Sequence, residues 1–207
     1  MPRRVGASAT VQRVGTRPAI FLDRDGTIIE DRGYIADPSE VVFYRDTVEA
    51  LGSLQQRFML FIVTNQSGIG RGLLSPDDVE RVNAHIVRTL AGHGIAIGEV
   101  YCCPHRREDG CPCIKPKPYF VLQAARDHAL DLASSYVIGD HPHDVELAGN
   151  VGAHGIYVLS GHGRRHRHEV TAPCTVVEGI RAAAHVTTLR GVARGGVLQP
   201  GAPRLPQ

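Results

Sequence analysis

Two aspartates one residue apart stand in the run Asp23-Arg24-Asp25-Gly26-Thr27, directly after the apolar stretch Ala19-Ile20-Phe21-Leu22. If that stretch is a strand, its end can aim both carboxylates at one small site. Two like charges at such range need a proton or a cation between them. Mg²⁺ suits the position, because it takes carboxylates, phosphate oxygens and water. One carboxylate can then attack phosphorus while the other handles the proton. Gly26 lets the chain turn sharply. Taken alone, the same five residues also fit a polar turn after a strand.

A second group of reactive side chains follows further along. Cys103-Pro104-His105 and Cys111-Pro112-Cys113 give the spacing Cys-x-His-x5-Cys-x-Cys. Three thiolates and an imidazole make a tetrahedral Cys₃His site for Zn²⁺. With all four positions filled by protein, the expected role is structural: a zinc loop over 103–113 whose tip is residues 106–110. Disulfides are the alternative. Four of the five cysteines fall between Cys102 and Cys113, whereas a secreted disulfide scaffold spreads them out. Cys102 is expected to be a buried strand residue.

The elements that must carry these groups read as a doubly wound, mostly parallel α/β fold, Rossmann-like in its layering. Continuous apolar runs at 19–22, 59–63, 99–102, 136–138 and 155–159 suit strands covered on both faces. Helical patterns lie between them. Asp46 is placed to cap a helix with Val48, Leu51 and Leu54 inward. Ser75-Pro76-Asp77-Asp78 opens a second helix, with Ser as cap, Pro in the first turn and acids near the positive end. Val79, Val82, Ile86 and Leu90 follow at spacings of three and four, with Gly92 and Gly94 as stops. A third helix is expected from Pro118, packing through Phe120, Val121, Leu122 and Ala125, and a short fourth over 142–150. In such folds ligands bind at the carboxyl ends of strands, which is where the two aspartates stand.

Placed directly after a strand, Asp23-Arg24-Asp25-Gly26-Thr27 resembles the first motif of the haloacid dehalogenase superfamily. The resemblance implies Asp23 as nucleophile and Asp25 as general acid, then base for the hydrolytic water. Three further motifs of that superfamily follow in order. Thr64, in Thr64-Asn65-Gln66-Ser67-Gly68, falls where a Ser or Thr holds phosphoryl oxygens. Lys115, in Cys113-Ile114-Lys115-Pro116-Lys117-Pro118, falls where a lysine offsets the anionic cluster. Gly139-Asp140 ends a strand, with Asp144 a few residues on. By the resemblance Mg²⁺ sits on Asp23, Asp25 and Asp140, with Asp25 contributing its backbone carbonyl. Asp144 is expected to orient the loop or cap the following helix.

The cysteine cluster with Lys-Pro-x-Pro, together with Asp31-Arg32-Gly33-Tyr34 and the run from Thr64 to Gly72, is similar to the heptose bisphosphate phosphatases. The related histidinol-phosphate phosphatases share much of it. The similarity spans about residues 18 to 168. It implies removal of the 7-phosphate of D-glycero-D-manno-heptose 1,7-bisphosphate. Substrate contacts are then expected from Asp31, Arg32, Gly33, Tyr34, Thr64, Asn65, Gln66, Ser67, Lys115 and His141. Two positions depart from the family pattern. Ile114 stands where an arginine is usual, and His141 where a lysine is usual. Both lost groups are cationic. Arg71, Arg106, Arg107 and Lys117 are candidates to replace that charge.

Bulk composition sets outer bounds. The chain has 207 residues, 43% hydrophobic and 21% charged, with a formal net charge of +2, which fits one globular domain with tails. The charge is too mild to argue for nucleic acid, and no run approaches the roughly 18 apolar residues of a membrane span. A secretory signal is not expected, because the basic start lacks an apolar stretch after it. Residues 1–17 read as a flexible leader, 18–190 as the catalytic domain and 191–207 as a disordered tail. The intervals between Asp23, Thr64 and Lys115 leave no room for a large cap domain, so the site should be open and suited to a small phosphorylated metabolite. The His/Arg-rich 162–168 stretch is expected to be a solvated loop or helix start. A cytoplasmic monomer is expected. Competing assignments are a histidinol-phosphate phosphatase, a phospho-receiver domain that keeps its phosphate, and a zinc-dependent interaction module.

Overall fold

The computed structural model describes residues 17–195. Six strands form one sheet: β1 (Ala19–Leu22), β2 (Met59–Asn65), β3 (Ile97–Cys103), β4 (Tyr136–Gly139), β5 (His154–Val158) and β6 (Thr175–Val177). Their order is β3-β2-β1-β4-β5-β6, and every pairing is parallel. The helices are α1 (Thr47–Leu54), α2 (Ser67–Gly70), α3 (Pro76–Gly92), α4 (Tyr119–Asp127), α5 (Pro142–Val151), α6 (Gly163–His166) and α7 (Ile180–Gly195).

The unbroken apolar run of β1 is explained by its two covered faces. Ile20 and Leu22 pack into a layer with Leu51 and Leu54 of α1, Val82, Ile86 and Leu90 of α3, and Ile180 and Ala183 of α7. Ala19 and Phe21 pack the other way, with Val121 and Ala124 of α4 and Leu147 and Ala148 of α5. Phe21 stacks on Phe61 with ring centroids 5.4 Å apart. The result is a three-layer, doubly wound sheet. Its strand order reverses at β1, with β2 on one side and β4 on the other. That is the switch point where such sheets open a crevice at their carboxyl ends.

Local signals match at the start of α3. The Ser75 side chain accepts from the Asp78 backbone, and Asp78 accepts back from the Ser75 backbone, a reciprocal cap. Asp46 precedes α1 as expected but makes no side-chain cap bond.

Other expectations are corrected. β2 extends through Asn65 because Thr64 and Asn65 pair with Cys102 and Cys103 of β3, so Thr64 lies inside the strand rather than beyond it. On α4, Val121 and Ala124 are buried, whereas Leu122 is 40% exposed. Helical periodicity turns it away from the sheet. Cys102 is half-buried rather than buried. β6 and α7 were not anticipated. β6 is only three residues long at the sheet edge, and α7 has a weakly patterned alanine- and threonine-containing sequence. Residues 191–195 of the expected tail belong to α7. Residues 1–16 and 196–207 lie outside the described residues, while Arg17 of the expected leader bridges to Leu130.

The chain between β1 and α1 holds a short 3-10 turn at Pro38–Glu40, and α2 follows β2 directly. No large cap domain stands over the sheet among the described residues. Within the same range no helix is long and apolar enough to cross a membrane.

Candidate active site

The carboxyl ends of β1, β2 and β4 open into a cleft of about 540 Å³. Asp23 leaves β1 in register, its backbone N–H still bonded to the Ile138 carbonyl of β4 at 2.9 Å. Asp140 follows β4 directly. Gly26 (φ +78°) makes their approach possible, since a Cβ there would fall 2.0 Å from the Asp140 Oδ2 atom. Gly139 does the same for Asp144, whose carboxyl carbon would be 2.2 Å from an added Cβ. The side chains of Asp23, Asp140 and Asp144 thereby gather into one acidic cluster, their ligand atoms within 4.8 Å of one another.

Lys115 enters this cluster from the end of the cysteine loop. Its Nζ donates to Asp23 Oδ1 at 2.5 Å and to Asp144 Oδ1 at 2.7 Å, and the side chain is buried. Asn65 accepts from the Lys115 backbone at 3.1 Å, which fixes where the chain delivers it. Asp144 also accepts from the His141 backbone at 3.0 Å, so it both caps α5 and anchors Lys115. Asp140 Oδ2 accepts from the His162 backbone at 2.7 Å. Asp23 Oδ2 and Asp140 Oδ1 are left without a protein donor among the described residues. Carboxylate oxygens grouped within 4.8 Å of one another are a hard, anionic donor set that fits a divalent cation of the Mg²⁺ type.

Burial lifts the Asp23 pKa to about 7 against the pull of Lys115, with Asp144 and Asp25 adding to the rise. Burial and the charges of Asp23 and Asp144 take Asp140 to about 8. For Lys115, burial opposes its charge, but Asp144 and Asp23 outweigh burial and raise its pKa. His141 goes the other way, down to about 4, because of burial and the adjacent His143.

The Asp25 carboxylate lines the same cleft but lies outside the acidic cluster. It accepts from Arg24 Nε at 3.0 Å, Arg24 NH2 at 3.1 Å and Gln66 Nε2 at 2.9 Å. Gln66 also donates to Thr64 Oγ1 at 2.9 Å. Of the residues expected to touch substrate, Asp31, Gly33, Tyr34, Thr64, Asn65, Gln66, Ser67, Lys115 and His141 line the cleft. Arg32 does not; it is exposed and pairs with Glu30 at 3.2 Å. Among the four cationic candidates, Arg71 and Arg107 line the cleft. Arg106 is engaged with Asp109, and Lys117 donates to the Gly110 and Cys111 carbonyls.

Sequence reasoning missed several contributors. His162 and His166 were assigned to a solvated stretch, yet both line the cleft, and His162 Nε2 meets Asp31 Oδ2 at 2.8 Å. Arg107 contacts His143. Arg24 is wholly buried and donates to Asn83 at 2.8 Å; lying between two aspartates, it gave no sign of either contact.

The cysteine loop closes as its spacing suggested. Cys103, Cys111 and Cys113 bring their sulfurs within 3.2–3.6 Å of one another. His105 Nδ1 lies 3.7 Å from the Cys103 sulfur and 3.4 Å from that of Cys113. Tetrahedral Zn²⁺ with bonds of about 2.3 Å to sulfur sets ligand separations of about 3.7 Å, so the cluster has the size and donors for such an ion. α2 is tied to this loop by Gly70 N–H bonding to the Pro104 carbonyl at 2.9 Å. A larger cavity of about 780 Å³ lies between α1 and α7. It does not include the strand-end acids.

This fold and this cluster of acids with a lysine define a haloacid dehalogenase-like phosphatase. The HAD-hydrolase-like family model matches residues 112–183. D-glycero-beta-D-manno-heptose-1,7-bisphosphate 7-phosphatase of Vibrio cholerae is 35% identical over 178 residues, covering 82% of this chain and 95% of the relative. The Helicobacter pylori enzyme of that name is 38% identical over 138 residues, 66% of this chain and 79% of the relative. The crystal structure of D,D-heptose 1,7-bisphosphate phosphatase from B. bronchiseptica, complexed with magnesium and phosphate, superposes with a TM-score of 0.78 at 30% identity, covering 84% of this chain and 99% of that one. The chain belongs to the heptose-1,7-bisphosphate 7-phosphatase family of haloacid dehalogenase-like hydrolases. The receiver-domain and zinc-module alternatives are not favoured by these relatives.

A carboxyl whose pKa rises on folding contributes stability below its unfolded value and loses it as pH climbs. Asp23 and Asp140 rise from 3.8 to about 7 and about 8. The cation-free protein should therefore lose thermal stability between about pH 4 and about pH 8. Millimolar Mg²⁺ should raise the melting temperature more at pH 8 than at pH 5, as read by differential scanning calorimetry. Equal Mg²⁺ effects at both pH values would contradict this reading of the acidic cluster.

Proposed function

We propose that this protein hydrolyses the 7-phosphate of D-glycero-D-manno-heptose 1,7-bisphosphate through a phosphoaspartate at Asp23, acting as a cytoplasmic monomer with a single catalytic domain that runs from about residue 18 through α7. The carrying observation is the convergence of Asp23, Asp140 and Lys115 at the sheet's switch point. Mg²⁺ would be held by Asp23, Asp140 and the Asp25 backbone carbonyl. When bound it would neutralise the acids and polarise the phosphoryl group.

The chain's own groups then divide the work. Asp23 attacks phosphorus in line with the leaving oxygen. Asp25 gives that oxygen its proton and later takes one from the water that hydrolyses the acyl phosphate. Lys115 holds Asp23 and balances the charge of the transferred group, and Thr64 with Asn65 and Ser67 receives the phosphoryl oxygens. Asp31, Gly33, Tyr34, Gln66 and His141 shape the remainder of the cleft.

The Asp23→Asn variant should fold, by circular dichroism, and show no turnover. Wild-type protein should release phosphate from the heptose bisphosphate faster than from histidinol phosphate, and only with Mg²⁺. Faster turnover of histidinol phosphate would reassign the substrate, and activity in Asp23→Asn would remove the mechanism.

With Ile114 and His141 in place of cations, the second phosphate of a bisphosphate needs charge from elsewhere. Arg71 and Arg107 are placed to supply it, since both line the cleft. Arg71→Glu and Arg107→Glu should each raise KM for the bisphosphate about tenfold, with a smaller change for a monophosphate. Unchanged KM in both would remove them from substrate recognition.

Zn²⁺ at Cys103, His105, Cys111 and Cys113 would hold the loop that delivers Lys115. Mass spectrometry of metals should find about one zinc per chain, from the four-ligand donor set. Cys111→Ser should lower both zinc content and kcat. Full activity in zinc-free protein would make the cluster dispensable.

A further inference from the structure

Arg24 occupies the middle of the two-aspartate motif and has no part in the chemistry assigned above, yet its side chain is completely buried. A buried guanidinium is costly unless its charge and its donors are met. Here its Nε and NH2 form a fork on the two oxygens of Asp25, at 3.0 and 3.1 Å. Its third arm, NH1, reaches across to Asn83 Oδ1 of α3 at 2.8 Å. The two ends of this bridge are very different in rigidity. Asp25 sits on a strand-end loop. Asn83 follows Val82, a fully buried residue of a 17-residue helix that is capped at Ser75 and packed through Val79, Val82, Ile86 and Leu90.

We infer that Arg24 and Asn83 are positioning residues that fix the Asp25 carboxylate from α3, so that its proton is aimed at the leaving oxygen. The inference rests on Asp25 being the general acid. In the first half-reaction the bond from Asp23 oxygen to phosphorus forms, the bond from phosphorus to the leaving oxygen breaks, and the Asp25 proton passes to that oxygen. The carboxylate left behind is already bracketed by the guanidinium. In the second half, water oxygen bonds to phosphorus, the bond from phosphorus to the Asp23 oxygen breaks, and a water proton returns to Asp25. The fork holds one rotamer of Asp25 through both halves. Gln66 donates at 2.9 Å to the same Asp25 oxygen that accepts from Arg24 Nε. α3 thereby serves the reaction although it supplies no side chain to the cleft itself.

A misplaced acid matters only when the leaving group needs a proton. Rapid-quench measurement of the first turnover isolates that step from phosphoenzyme hydrolysis. The substrates are the heptose bisphosphate, whose sugar oxygen would leave as an unstable alkoxide without that proton, and p-nitrophenyl phosphate, whose leaving group is a stable phenolate. Asn83→Ala and Arg24→Lys should slow the first turnover of the sugar phosphate by about 10- to 100-fold with KM within about twofold, the scale of a displaced general acid. Both should leave p-nitrophenyl phosphate within about threefold. Asn83→Asp keeps an acceptor oxygen for Arg24 and should restore the rate. Asn83 is half-buried on α3, so Asn83→Ala should fold, as melting curves would check, and the test survives if Arg24→Lys is unstable.

Asp25→Asn run alongside separates the two claims. If it shows the steep leaving-group dependence while Asn83→Ala and Arg24→Lys slow both substrates equally or not at all, the positioning role is overturned and the general-acid assignment stands. If Asp25→Asn also lacks that dependence, the assignment of Asp25 fails and the inference with it. Failure of Asn83→Asp to recover the rate lost in Asn83→Ala would likewise overturn the positioning role.

Discussion

The ammonium of Lys115, held between Asp23 at 2.5 Å and Asp144 at 2.7 Å, is the interaction on which the rest of the site depends. Three carboxylates this close and this buried repel one another, and burial together with the neighbouring acids pushes two of them towards protonation. One buried cation between them keeps a charged form accessible. It also gives Asp23 a fixed rotamer. The remaining negative charge is what a divalent ion would meet, so lysine and metal are complementary parts of one charge balance.

That lysine is itself a product of the cysteine loop. Lys115 lies two residues beyond Cys113, whose sulfur is packed against those of Cys103 and Cys111. Asn65 at the end of β2 receives its backbone N–H. The loop is short, polar at its tip and has only a small apolar cluster of its own, the three cysteines with Ile114. A cluster of this size buries little apolar surface, and its grouped sulfurs and imidazole have the donors for a metal that would cross-link the loop. The loop also brings Arg107 to the cleft and docks on α2, linking substrate-facing charge to the same scaffold.

The parallel sheet explains why the cleft is built from distant segments. Strand ends place Asp23, Thr64 and Asp140 side by side only because β1 sits between β2 and β4. Two glycines then remove the side chains that would hold the acids apart. The polar layer beneath, Arg24 with Asn83 and Gln66 with Thr64, carries α3 and β2 into contact with Asp25. Rigidity in the site is thus borrowed from elements whose own packing is apolar and remote from the cleft.

The sequence by itself determined the α/β layering, five of the six strands, the strand-end acids, the lysine and the four metal-type ligands of the cysteine loop. These are local properties: apolar runs, caps and spacings survive without knowledge of neighbours. β6 and α7 escaped because a three-residue edge strand and a weakly patterned helix have little local signal, and their existence is decided by the sheet and by α1 against which they pack. Only the tertiary structure decided that Asp144 joins Asp23 and Asp140, that Asp25 turns towards Arg24, that His162 and His166 face the cleft, and that Arg32 does not. These outcomes depend on side-chain directions set by the surrounding fold: even the fork between the neighbours Arg24 and Asp25 is completed by Asn83 and Gln66 from distant segments. Such a direction is set by packing and by competition for hydrogen-bond partners, and neither is written in the order of residues.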